Sequence, residues 1–183
     1  VQILQALASM LEQPGGERIT TAALAARLGV SEAALYRHFA SKAQMFEGLI
    51  EFIEQAVFAL VNKITTASPE DGRQKVARIV AMLLQFGEKN PGMARVMVGD
   101  ALVYENERLQ QRMNLFFDKV EATLRQTLRE MAATSGSISP TADAQVLASV
   151  LTAFAVGRLQ RFARSGFKRL PSEYLDAALT RMV

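Results

Sequence analysis

Apolar residues recur along this chain at intervals of three and four positions, the spacing of helices that bury one face. Near the start this spacing marks two short segments, one around Leu24 and Leu28 and one around Leu35. Gly29 lies between them, and glycine ends helices readily because it adopts the left-handed conformation without steric cost. The pattern predicts two short helices joined by a tight turn.

Polar residues at the predicted helix starts support this arrangement. Thr20 or Thr21 can cap the first helix, and Ser31 can cap the second. Ser41 begins a third helix, because Gln44 follows it at the spacing of a capping box. Two short helices joined by a short turn containing glycine form a helix-turn-helix, whose second helix enters the major groove of DNA. We therefore predict a helix-turn-helix DNA-binding domain over residues 1–42.

The second helix offers two kinds of contact to DNA. Its first residues are small enough to approach base edges, and the later ones are long enough to reach phosphates. The base-edge candidates are Ser31, Ala33 and Ala34, and the phosphate candidates are Tyr36, Arg37, His38 and, in the next helix, Lys42. A plain three-helix knot, with Tyr36 as a core aromatic, is the alternative.

Charge adds one expectation. Residues 1–64 contain five Lys or Arg and six Asp or Glu, a formal charge of −1, although the whole 183-residue chain carries +3. DNA-binding domains usually show a basic footprint. We therefore expect a basic arm before Val1 that supplies phosphate contacts.

Composition narrows the chemistry. The chain has no cysteine and one histidine, and it lacks P-loop and zincin motifs, so we expect no enzyme, cofactor or metal site. Acidic pairs such as Glu51 with Glu54, and Glu105 with Glu107, are interpreted as solvated faces. No run of 18 uncharged apolar residues occurs, which predicts no membrane-spanning helix and no membrane partner.

The rest of the chain, residues 43–183, predicts a helical body. A helix of about five turns starts at Ser41, and a helix ending at residues 90–92 is apolar nearly all round, which predicts a central position. A short helix near residues 92–98, two long ones and a last one after Pro171 and Ser172 follow, with loops at 68–72 and 134–141. The fold class is all-α with about nine helices.

Two apolar features of the body have alternative interpretations. Residues 144–164 form a broad apolar face, and Gly157 would let the helix of a second copy approach closely, which favours a homodimer over packing within one chain. Phe58 lies on the polar side of the helix that begins at Ser41. It packs on another helix or serves a protein partner, and we favour packing.

The segment LAARLGVSEAALYRHFASKAQMFEGLIEFIE resembles the TetR family of bacterial regulators. Within that family, EKNPG, DALVYENERLQQRMN and RSGFK are similar to nucleoid occlusion factors. The resemblance implies a cytoplasmic, nucleoid-associated homodimer that binds pseudo-palindromic chromosomal sites and forms higher-order assemblies on DNA. It also implies that the DNA-bound protein antagonises assembly of FtsZ, the tubulin-like division protein.

The resemblance also implies site residues. Thr20 and Thr21 on the first helix, the residues from Ser31 to Tyr36 named above and Lys42 match the DNA-facing part of the motif. Phe52 and Lys89 match the FtsZ-facing part. Leu60 stands where better-known members carry an arginine, and the basic residues near it are Lys63, Arg73 and Arg78.

Two other functions fit the same sequence. A ligand-responsive TetR-type repressor would line a cavity with the apolar residues Met82, Phe86, Phe116, Phe117 and Phe154. An architectural DNA binder would show affinity that depends on salt but barely on sequence.

Overall fold

The structure is a computed structural model that describes residues 1–13, 18–67, 71–135 and 140–183. Within these ranges the chain forms nine α-helices and one 3₁₀ turn, with no β-strand, which confirms the predicted all-α class. The helices are α1 Gln2–Leu11, α2 Thr21–Leu28, α3 Glu32–His38, α4 Lys42–Thr66, α5 Gly72–Lys89, α6 Pro91–Met97, α7 Glu107–Ser135, α8 Pro140–Arg164 and α9 Leu175–Met182; the 3₁₀ turn is Asp100–Leu102.

The first three helices form a small bundle, which we call the reader (residues 1–42). The hydroxyl of Thr20 accepts the N–H of Ala23 at 3.0 Å, so Thr20 rather than Thr21 caps α2. Ser31 caps α3 in the same way. Gly29 ends α2 in the left-handed conformation at φ 67°, and Leu35 is buried between the helices. The predicted helix-turn-helix is confirmed.

Helix α4 connects the reader to the remaining helices, which we call the body (residues 43–183). Ser41 accepts the N–H of Gln44 at 3.2 Å. The side chain of Gln44 accepts the N–H of Ala40, one residue before the donor of a standard capping box. The helix has 25 residues, about seven turns rather than the five predicted, because its apolar repeat continues to Ile64.

The body is built around α5, which packs against α4, α6, α7 and α8. Ile79, Val80, Leu83 and Leu84 are buried on several sides of this helix, as its pattern predicts. A short helix, α6, lies between the reader and the body and packs against both α1 and α8. Gly92 on α6 lies so close to Ala8 of α1 that a Cβ would overlap the carbonyl oxygen of Ala8.

The long helices alternate in direction. Helix α4 leads away from the reader and α5 returns, with the ammonium of Lys75 donating to the carbonyl of Thr65 near the far end. Helix α7 runs outward beside α4, and α8 returns until Leu159 contacts Gly87 near the end of α5. The C-terminal end of α8 therefore lies at the end of the body that faces the reader.

One predicted helix start differs from the structure, and parts of two predicted loops cannot be compared with it. Residues 68–70 and 136–139, in the two predicted loops, lie outside the described residues. Helix α9 begins at Leu175, after turns over residues 171–174, rather than directly after Ser172.

By length and composition alone, one helix among the described residues, Asp143–Arg164, could span a membrane. The exclusion from sequence was therefore too strict, because it allowed no charge within the 18-residue run. Core helices of folded proteins have the same composition, and this helix packs against α5, α6 and α7.

Candidate DNA and partner interfaces

The side of the reader that is predicted to face the DNA groove consists of short residues at the start of α3. Ser31 and Ala33 are exposed there, whereas Ala34 is half-buried and lines a shallow groove with Gln2 and Leu28. Ser31 also carries the cap of α3. The tip therefore presents a small hydroxyl and a methyl group, which permits close approach to base edges.

Hydrogen bonds join α2 to α3 across the predicted DNA face. Thr21 donates its hydroxyl hydrogen to Glu32 at 2.8 Å, and Tyr36 donates to the hydroxyl oxygen of Thr21 at 3.4 Å. Tyr36 is 45% exposed, which rules out the alternative of a core aromatic at this position. The structure thus brings the candidates on α2 and α3 together.

The two remaining candidates on α3 lie toward its C-terminal end. Arg37 and His38 are both exposed, and His38 also lines grooves with Gln2 and Ile3 at the start of α1. Their positions suit contacts with phosphates beside the DNA groove rather than with base edges at its floor.

Lys42 occupies an unexpected environment for a candidate phosphate contact. Its ammonium lies 2.6 Å from a carboxylate oxygen of Glu105, and the side chains are only 17% and 7% exposed. Arg18 approaches the same oxygen at 3.5 Å. The interpretation of Glu105 as a solvated residue is therefore wrong, because Glu105 joins the body to two residues of the reader, Arg18 and Lys42.

A second acidic residue interpreted as solvated is also paired. Glu54 on α4 accepts two hydrogen bonds from Arg112 on α7, at 3.1 and 2.8 Å. This bidentate bond is the main cause that raises the pKa of Arg112 above its ordinary value, against the lowering effect of burial. Closer to the reader, Arg108 pairs with Glu47 at 2.7 Å, so charged bridges fix α7 along α4.

The FtsZ-facing candidates lie on neighbouring helices. Phe52 on α4 is 50% exposed, and Lys89 near the end of α5 is exposed. The contact of Lys75 with Thr65 sets the level of the two antiparallel helices. Since both helices rise about 1.5 Å per residue, Lys89 returns to the level of Phe52. Leu60, 39% exposed, lies farther along α4.

Phe58 packs within the body, as favoured above. Its ring meets that of Phe116 at 5.5 Å between centroids, and the ammonium of Lys119 lies 4.2 Å from its centroid. Phe116 also contacts Phe117 edge-on, and it is 2% exposed. These two candidate cavity residues therefore make the ring contacts of an ordinary aromatic core.

Helix α8 carries an exposed strip of apolar and small residues that no other part of the described chain covers. Val146 and Val150 are 64% and 47% exposed, and Ser149, Ala153 and Gly157 continue the strip with small side chains at helical spacing. A Cβ added to Gly157 would meet nothing within 4 Å. No cluster of three or more metal-ligating side chains occurs among the described residues.

One charged region was missed by the sequence analysis. Residues 158–173 contain five Lys or Arg and one Glu, a formal charge of +4, so the rest of the chain amounts to −1. We call residues 158–173 the basic segment. The density of Lys and Arg in this part of the sequence indicates it, but the charge was counted only over residues 1–64 and over the whole chain.

Two family models match separate parts of the chain. Residues 3–49 match the model of the bacterial regulatory proteins of the TetR family, and residues 71–182 match the SlmA-like C-terminal domain of tetracycline repressor-like proteins.

Curated relatives match over nearly the whole chain. The nucleoid occlusion factor SlmA of Shewanella sediminis is 51% identical over 174 residues, which cover 95% of this chain and 87% of the relative. The nucleoid occlusion factor SlmA of Vibrio cholerae is 49% identical, with 96% of this chain and 89% of the relative covered.

Solved structures share the fold at low identity. The MbdR regulator of Azoarcus is 18% identical with a TM-score of 0.79, covering 98% of this chain and 94% of that one. The regulator FadR of Bacillus subtilis, solved in complex with stearoyl-CoA, is 16% identical with a TM-score of 0.77, covering 100% and 96%. With a TetR-type reader and about half of its residues identical to those of the SlmA proteins, this chain belongs to the TetR family of DNA-binding regulators, in its branch of nucleoid occlusion factors.

Proposed function

We propose that this protein binds a pseudo-palindromic chromosomal site as a homodimer and, while bound there, uses the α4–α5 face to antagonise FtsZ assembly. The observation that carries the proposal is the exposure of two separate surfaces. One is the small-residue tip of α3, and the other contains Phe52 and Lys89 at one level of α4 and α5. DNA can therefore occupy the first surface while FtsZ occupies the second. In this proposal the protein acts at the nucleoid.

The homodimer rests on the strip of α8. An exposed strip of valine and small residues is typical of helix pairs that approach closely, and a two-fold axis would place two readers about one turn of DNA apart. Ala153→Glu would bury a carboxylate in this interface. We expect the variant to sediment as a monomer while its helix content stays unchanged.

The DNA contacts follow from the side chains at the tip. Ser31, Ala33 and Ala34 approach base edges, and Thr20, Thr21 and Tyr36 fix the reader on the backbone. Arg37 and His38 contact phosphates from the end of α3. Lys42 serves a phosphate only when its ammonium shares or leaves Glu105.

The test separates the two surfaces in one assay. FtsZ polymerisation is followed by light scattering with protein alone, and with protein plus a duplex selected from a random library by the protein itself. We expect inhibition with the duplex to exceed inhibition by protein alone. Tyr36→Ala should weaken duplex binding, while Phe52→Ala should keep duplex binding and lose the antagonism.

A matched control comes from another exposed apolar residue. Leu115 on α7 is 67% exposed, so Leu115→Ala removes similar exposed apolar surface outside the proposed face. It should leave both activities unchanged. If DNA-bound protein leaves FtsZ polymers intact, the FtsZ part of the proposal is lost; equal loss of both activities in Phe52→Ala would refute the separation of the surfaces.

A further inference from the structure

The basic segment is an ordered surface rather than a loose charged tail. After α8, Gly166 and Phe167 adopt the left-handed conformation at φ 62° and 66°, and the ring of Phe167 packs on Phe162 at 5.2 Å. The hydroxyl of Ser165 accepts the N–H of Arg169 at 2.8 Å. A positive φ is unfavourable for phenylalanine, so packing holds this turn in place.

Four cations of the segment point to solvent. They are Arg161, Arg164, Lys168 and Arg169, all of them exposed. Among the described residues, Glu173 pairs with Arg169 at 3.6 Å, and Glu88 accepts the N–H of Ser172 at 3.2 Å. These two carboxylates leave most of the positive charge uncompensated.

Holding these cations together costs free energy. Burial lowers the pKa of Arg158, and the nearby charge of Arg161 lowers it further. The C-terminus of a helix attracts cations, but its partial charge is only about half an elementary charge. Capping of α8 therefore does not account for so many cations at one place.

The position of the segment favours one kind of partner. Ser172 contacts Glu88 near the end of α5, and Leu159 lies against Gly87, immediately before the helix that packs on α1 of the reader. The basic segment thus lies at the end of the body that faces the reader. A DNA duplex held by the reader is the polyanion on that side.

We propose that the basic segment is a second DNA-binding surface, which contacts the phosphate backbone while the reader occupies the groove. This inference rests on the proposed function and adds to it. The reader, residues 1–42, carries four Lys or Arg and three Asp or Glu, a formal charge of only +1, and supplies shape and base contacts. The basic segment supplies sequence-independent attraction to phosphates, from the body.

Counterion release tests the proposal. Each phosphate neutralised by a cation contributes about 0.9 to the slope of log K against log salt. We expect Arg164→Gln with Lys168→Gln to lower this slope by about 1.8 per protomer, and to weaken binding to a labelled non-operator duplex of about 30 base pairs, three helical turns. Anisotropy titrations over a series of salt concentrations measure both.

The matched control removes two cations from the other end of the body. Lys63 and Arg73 are exposed at the end of α4 and the start of α5, about 30 Å from the first residue of α4. Lys63→Gln with Arg73→Gln should leave the slope unchanged. The charge-conserving pair Arg164→Lys with Lys168→Arg should keep the wild-type slope. Should the double glutamine variant destabilise α8, Lys168→Gln alone still tests the charge, because Lys168 lies outside the helix. It should give half of the change in slope.

The outcomes that overturn the proposal are distinct. If Arg164→Gln with Lys168→Gln changes the slope no more than Lys63→Gln with Arg73→Gln does, the basic segment makes no phosphate contact of its own. A variant that keeps its DNA slope but no longer binds phosphatidylglycerol vesicles would assign the surface to lipid instead. Failure of the unaltered protein to bind any duplex would refute DNA binding itself, and with it the proposed function.

Discussion

The reader and the body of this protein are stabilised in different ways. Helices α1, α2 and α3 have 10, 8 and 7 residues, and side chains cap the second and third. The long body helices have 18 to 29 residues and depend on extended packing faces. Helices shorter than about 12 residues are marginal by themselves in water. The function of the reader is therefore encoded locally, whereas that of the body depends on which distant faces come together.

Charge also distinguishes the two regions. The reader carries only +1, although it contains the helix proposed to enter the DNA groove, and the basic segment of the body carries +4. The two proposals therefore assign base recognition and phosphate attraction to different parts of the chain. Changes confined to one region should then alter one property and spare the other.

The largest expected effect is in the core of the reader. Leu35 is 1% exposed, and its replacement by alanine should cost about 2–5 kcal/mol of stability. We expect hydrogen exchange to rise in α1–α3 at urea concentrations that leave α7 and α8 protected. Val30→Ala, at a 44% exposed position, should change little. An equal rise of exchange in α7 and α8 would show that reader and body unfold as one unit.

A charge at the tip of α3 should come next. Ala33 is exposed, so Ala33→Glu should leave the fold intact while placing a carboxylate against the groove. Like charges brought together at an interface cost several kcal/mol, which predicts a loss of about 100-fold or more in affinity for the selected duplex. Anisotropy titration measures this loss, and wild-type affinity in the variant would exclude Ala33 from the interface.

The sequence predicted the reader in detail because its determinants are local. Thr20, Gly29, Ser31 and Ser41 each act within four residues of their own position. The apolar periodicity of the body predicted its helices, including the central α5, for the same reason. Phe58 lies outside that periodicity, and its packing was the favoured one of two interpretations.

The long-range ion pairs could not be predicted in this way. Lys42 of the reader and Glu105 of the body are 63 residues apart, and Glu54 and Arg112 within the body are 58 apart. Nothing in local spacing distinguishes a paired glutamate from a solvated one. The charge of the basic segment can be counted from the sequence. Its position at the reader end of the body depends on the alternating directions of α4, α5, α7 and α8, which the sequence does not show.

The Lys42–Glu105 pair offers the next test of how the two regions are joined. Glu105→Gln should lower stability by about 1.5 kcal/mol, the scale of a hydrogen bond to a charged group. It should also steepen the salt slope of DNA binding by about 0.9, because the ammonium of Lys42 becomes available to a phosphate. Urea unfolding and anisotropy titrations measure the two effects.

Glu107→Gln is the matched control for this pair. It removes the same charge from an exposed neighbouring position in the first turn of α7, so stability should fall by only about 0.3–1 kcal/mol, the contribution of an acidic residue at a helix N-terminus. Equal slopes in the two variants would mean that Glu105 affects DNA binding only through net charge, and that Lys42 has no phosphate of its own.

The smallest effect expected is a gain on the partner face of the body. Leu60 is 39% exposed. The family resemblance implies an arginine at this position, so Leu60→Arg should add one exposed ionic contact to FtsZ. Exposed pairs contribute about 0.2–1 kcal/mol, which corresponds to roughly threefold stronger antagonism in the light-scattering assay. Ala59→Arg adds the same charge one position away and should not reproduce the gain. Duplex binding should stay unchanged in both variants, because the partner face lies on the body. If both variants strengthen the FtsZ antagonism equally, the effect comes from general charge attraction and not from a contact at position 60.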